Sequence, residues 1–104
     1  MKERDIEAYL IARVKELGGE TRKVKWIGRN SAPDRLVMLP GIREGWLDRA
    51  TNTTWVELKN PDTILTFPAN AHERAQAREH ERMRALGQRV EVIGTKEQVD
   101  RLLA

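Results

Sequence analysis

Between Glu3 and Leu17 the apolar residues Ile6, Leu10, Val14 and Leu17 recur at steps of four, four and three, which marks one face of a helix. Gly18 and Gly19 stop it. The next segment, Glu20 to Ile27, carries Thr21, Val24, Trp26 and Ile27 and predicts a first strand, followed by a turn-prone stretch from Gly28 to Pro33. Asp34 opens a second strand whose remainder, Leu36 to Leu39, is continuously apolar and predicts burial on both faces. Pro40 and Gly41 end it. In Thr53 to Lys59 the period is two, so Trp55, Glu57 and Lys59 share one face while Val56 and Leu58 take the other.

Asn70 followed by Glu73 resembles a capping box, and the helix it starts is expected to run to about Leu86, before Gly87. Arg89 to Ile93 predicts a short strand. Thr95 with Gln98 repeats the capping pattern ahead of Val99, Leu102 and Leu103, which predicts a short last helix. The expected order is αβββαβ plus a final helix, with irregular stretches at 40 to 52 and 60 to 69 as candidate substrate-facing loops.

At 104 residues the chain suits one domain over residues 1–104. With 39% hydrophobic and 34% charged residues it has the balance of a globular protein. The absence of cysteine excludes disulfides and thiolate zinc sites, and two histidines alone disfavour structural zinc, which leaves hard, oxygen-liganded metals. A net charge of +3 and a pI near 9.6 permit nucleic-acid binding without requiring it. No stretch approaches the roughly 20 apolar residues of a membrane span, so the expectation is an intracellular, cytoplasmic protein.

The charges in the predicted sheet carry the chemistry, because strands ordinarily disfavour such residues. Glu57 and Lys59, two apart on one face, have α-carbons about 6.5 to 7 Å apart. If the strand that Asp34 opens is their neighbour, two carboxylates and an ammonium converge at one end of the sheet. That set suits phosphodiester hydrolysis, in which carboxylates hold Mg²⁺ or Mn²⁺ and the ion polarises the phosphate and acidifies water. Lys59 would orient that water or stabilise developing charge. The backbone carbonyl of Leu58 is a further candidate ligand.

SAPDRLVM followed by WVELKNP resembles the PD-(D/E)XK nuclease signature, with Pro33 and Asp34 as its first half and Glu57, Leu58 and Lys59 as its second. The element order is similar to that superfamily's restriction-endonuclease-like α/β core, a central mixed sheet flanked by helices. Glu7, Gln76 and the run LGQRVEVI resemble more narrowly the virus-type replication-repair nuclease (VRR-NUC) branch, over roughly residues 3 to 93. The resemblance implies Mg²⁺- or Mn²⁺-dependent cleavage of structured DNA, a homodimer acting on branched substrates such as four-way (Holliday) junctions, and a viral or mobile-element origin. It also implies that Glu7 binds or positions a metal or its water, and that Gln76 supports the site from the second long helix. The apolar ILTFP after Asn60 departs from what a DNA-facing loop would show.

Other residues keep two readings. Glu7 also fits an ordinary acid near a helix N-terminus. Gln76, His72, His80 and Met83 form a stripe too polar for a simple core face, and His80 is either a locally bonded boundary histidine or a catalytic or phosphate-binding one. Arg74, Arg78 and Arg82 could track a DNA backbone, yet Glu73, Glu79 and Glu81 among them suggest a self-neutralised exposed face. Lys23, Lys25 and Arg29 lead into Asp34 and are the better phosphate contacts. Trp26 stacks on a base or packs in the core, and Trp46 and Phe67 fall in irregular stretches where aromatics mark a dimer contact or a DNA wedge. Two other functions stay open. One is a non-catalytic nucleic-acid-binding module, and the other is a subunit docked through residues 63 to 68 onto a larger repair or replication assembly.

Overall fold

The computed structural model describes residues 1–40 and 52–104. The element order is α1 (Glu3–Glu16), β1 (Glu20–Lys23), β2 (Arg35–Met38), β3 (Thr53–Leu58), a 3-10 turn (Ile64–Thr66), α2 (Ala71–Ala85), β4 (Val90–Ile93) and α3 (Lys96–Leu103). The strands form one mixed sheet in the order β1-β2-β3-β4. β1–β2 and β2–β3 are antiparallel, whereas β3–β4 is parallel, as a crossover through a helix such as α2 requires. This is the α/β core expected, and Trp46 lies outside the described residues.

One sheet face carries the main apolar core. Ile6, Leu10 and Val14 of α1 and Val99, Leu102 and Leu103 of α3 pack with Val37, Val56, Leu58 and Ile93. Tyr9 and Arg13 of α1 also reach Asp100 of α3, at 2.7 and 2.5 Å. α2 lies against the other face, where Glu57 and Lys59 meet it. The period-two reading of β3 therefore holds. Both caps hold too, since Asn70 accepts from the Glu73 N–H at 2.8 Å and Thr95 from the Gln98 N–H at 3.1 Å. Among the described residues no helix is long and apolar enough to cross a membrane.

Three expectations change. β1 ends at Lys23 rather than Ile27: Val24 still donates its N–H to the Asp34 carbonyl, after which the ladder gives way to the turn that the Trp26 indole closes on the Pro33 carbonyl. β2 is buried on one face only. Arg35 and Val37 are inside, whereas Leu36 and Met38 are half-buried, since α2 packs over β4 instead. The irregular stretch at 60 to 69 holds a 3-10 turn whose Ile64 is buried against Gly94.

Gly94 makes that turn possible, since a Cβ there would stand 2.5 Å from the Ile64 Cβ. Gly94→Ala is expected to cost about 1 to 3 kcal/mol of overpacking, read as a lowered urea midpoint with an unchanged slope.

Candidate active site

β2 and β3 pair with Arg35 across from Val56, and that register continued by one residue sets Asp34 across from Glu57. Directly opposed residues have Cβ atoms about 4.5 to 5.5 Å apart. Asp34 is held in strand geometry from its other side, because its carbonyl accepts the Val24 N–H at 2.8 Å. One residue earlier, the Pro33 carbonyl accepts the Trp26 indole N–H at 2.8 Å. The Trp26 ring packs on Trp55 with centroids 5.1 Å apart, so its side chain pins the turn that delivers Asp34. Lys59 donates its backbone N–H to Ile93 at 2.8 Å, which carries the β3 pairing beyond Leu58 and keeps Lys59 on the Glu57 face.

The α2 side chains then hold what β3 presents. The Lys59 ammonium donates to Gln76 Oε1 at 2.6 Å, lies 3.4 Å from Glu73 Oε2 and sits 5.3 Å from the centre of the Phe67 ring. Glu73 also accepts the Ala69 N–H at 2.8 Å, and this bond, with the Lys59 charge behind it, holds its carboxyl below the ordinary carboxylate range. His80 Nε2 stands 3.1 Å from Glu57 Oε1, and Phe67 stacks on the imidazole with centroids 6.0 Å apart.

The structure therefore brings Asp34, Glu57, Lys59 and Gln76 to one end of the sheet. Glu7 sits nearby, but its carboxylate is paired with Arg35 and faces Lys23 at 4.0 Å, so its link to the site runs through the residue beside Asp34. Lys23 also stands 4.0 Å from Asp34 Oδ2 and is two-thirds exposed. Lys25 is exposed.

The expectation that His80 meets DNA is corrected. The residue is 1% exposed, and a ring enclosed to that degree has no surface to offer a phosphate. The self-neutralised exposed face expected on α2 holds in part, for Glu79 pairs with Arg82 and the exposed Glu81 with Arg84, whereas Glu73 and Glu79 are themselves buried. Glu79 lies 3.1 Å from the Arg29 guanidinium and also holds Arg82, so Arg29 is tethered to the protein.

Two residues near the acids escaped the sequence reading. Arg35 follows Asp34 and is buried on the α1 face, where alternation along β2 would have placed it opposite an acid of the first helix. Glu3 stands one helical turn before Glu7, on the same side of α1. Its carboxyl is held above the ordinary range by burial and, against the pull of Lys59, by the negative charges of Glu57, Glu7 and Asp34. With Arg35 paired to Glu7 and Lys59 to Glu73, Asp34 keeps only the exposed Lys23 as a cationic neighbour, and Glu57 is bonded to His80, so the cluster that also includes Glu3 is rich in carboxylates. A divalent cation fits that cluster. Among the described residues no three acidic or histidine side chains enclose an ion by themselves. Asp34, Glu57 and the Leu58 carbonyl would hold such an ion and leave room for water and substrate oxygens, as hard divalent cations accept.

No protein-family model matches the sequence. Over 97 residues the chain is 33% identical to "Putative nuclease p44" of Acyrthosiphon pisum secondary endosymbiont phage 1, covering 93% of this chain and 87% of the phage protein. A solved structure described as a VRR_NUC domain superposes with a TM-score of 0.71 at 34% identity, covering 99% of this chain and 95% of that one.

The raised Glu3 carboxyl means that the folded state holds its proton to a higher pH than the unfolded chain does, so stability falls as pH rises through that window. Glu3→Gln removes the loss. In the presence of chelator the variant is expected to melt above the wild type at pH 7 and level with it below the carboxylate range; equal melting at both pH values would contradict the clustering of these acids.

Proposed function

The chain belongs to the VRR-NUC family of nucleases, and from that premise we propose that it is a Mg²⁺- or Mn²⁺-dependent deoxyribonuclease, an endonuclease that hydrolyses phosphodiester bonds in branched DNA such as four-way junctions and acts as a homodimer. The observation that carries this reading is the register setting Asp34 across from Glu57 on the sheet face that also presents Lys59.

When bound, the ion supplies polarisation of the scissile phosphate and a lowered pKa for the attacking water. Asp34, Glu57 and the Leu58 carbonyl are the groups that hold it. Lys59 directs its charge at the phosphoryl oxygens or orients the water, and Gln76 and Glu73 keep the ammonium from swinging into solvent. Arg35 orders Glu7 beside this centre, where Glu7 would position the ion or its water. Lys23 and Lys25 meet the DNA backbone ahead of Asp34, joined by Arg29 when its bond to Glu79 yields. Cutting two strands of a junction calls for two such centres, which a homodimer provides.

The test uses a four-way junction, a flap and a plain duplex with Mg²⁺, Mn²⁺ or chelator, and compares the wild type with Asp34→Asn and Lys59→Ala. Cleavage is expected only with metal and foremost on the junction, and each substitution should lower the rate by about 100-fold or more. Cleavage that survives either substitution, or that neither ion produces, would contradict the reading.

A further inference from the structure

A carboxylate on an interior strand is held in place only if something bonds it there. Glu57 is 8% exposed, and the bond comes from His80, one helical turn after Gln76 on α2. An ionised carboxylate only accepts, so Nε2 carries the hydrogen and donates to Oε1. One such bond fixes the carboxylate rotamer and leaves its remaining lone pairs free. His80 is in turn stacked by Phe67, and the same aromatic ring lies beneath the Lys59 ammonium. Phe67 directly follows the 3-10 turn, which Ile64 seats against Gly94.

We propose that His80 and Phe67 are positioning residues of the site, with His80 setting the Glu57 carboxylate and Phe67 backing both His80 and Lys59. The inference rests on the metal-dependent reading above and adds to it two residues and a role for the apolar 60 to 69 segment, which turns its aromatic ring inward. Enclosure of the imidazole at 1% exposure keeps it from substrate, so it acts through Glu57. Groups that orient a metal-binding carboxylate typically govern affinity about 10- to 100-fold.

The experiment titrates Mn²⁺ alone into the full chain by calorimetry. It compares wild type, His80→Gln, which keeps an N–H donor, His80→Leu, which keeps bulk without one, and Phe67→Leu. Circular dichroism reports the fold, and kcat and KM are measured on the junction. His80→Leu is expected to bind Mn²⁺ about tenfold more weakly and to lose kcat with little change in KM. His80→Gln should recover most of both, and Phe67→Leu should weaken Mn²⁺ binding while the fold is retained. Wild-type affinity in a folded His80→Leu, or no recovery in a folded His80→Gln, would overturn the proposal. If His80→Leu does not fold, Phe67→Leu decides, and unchanged Mn²⁺ affinity there overturns the role of the stack. A wild type that binds no Mn²⁺ refutes the metal site itself, which is a separate result from equal binding by wild type and variant.

Discussion

An acid and a lysine two residues apart on an interior strand must each find a partner inside the protein, because burying an unpaired charge costs several kcal/mol. β3 meets this constraint with α2. Glu57 receives the His80 hydrogen bond, and Lys59 receives Gln76 and Glu73. The opposite face meets it once, where Arg35 pairs with Glu7 of α1. The polar face of α2 follows from what it covers. A helix carrying Gln76, Glu73 and His80 inward would be a poor lid for an apolar sheet, but it suits a strand whose end presents Glu57 and Lys59.

Much of the frame was legible in the sequence because it rests on local rules. Ile6, Leu10 and Val14 recur at helical spacing and are buried, Asn70 and Thr95 cap the helices that follow them, and alternation in β3 places Glu57 with Lys59. The members of the signature that lie on adjoining strands were within reach for the same reason. What escaped depends on pairing between distant segments. Burial of Arg35 is decided by the packing of α1 on β2, and burial of Glu79 by the reach of Arg29 across the turn after β1. The polar stripe of α2 announced an unusual face, but only its seating on the sheet shows that His80 meets Glu57 rather than a phosphate. The early end of β1 likewise goes with a contact between separated residues, the Trp26 indole on the Pro33 carbonyl, which residue type alone does not announce.

The two segments flanking the strand pair divide their work. The turn before β2 is drawn in by Trp26, which bonds the Pro33 carbonyl and packs on Trp55, so Asp34 is delivered in register. The segment after β3 is anchored by Ile64 and offers Phe67 to the back of the site. Both place their aromatic residues inward, and the exposed Lys23 and Lys25 are left as the cationic approach to the acids. Burial, and with it the neighbouring charges of Glu57, Glu7 and Asp34, leaves the Glu3 carboxyl reluctant to ionise at the edge of this cluster.

The most direct test is anomalous diffraction from crystals soaked in Mn²⁺. A peak coordinated at once by Asp34 and Glu57 is expected, with Lys59 still held by Gln76 beside it. A peak bound elsewhere, or the two carboxylates occupied by separate partners with no ion between them, would contradict that expectation.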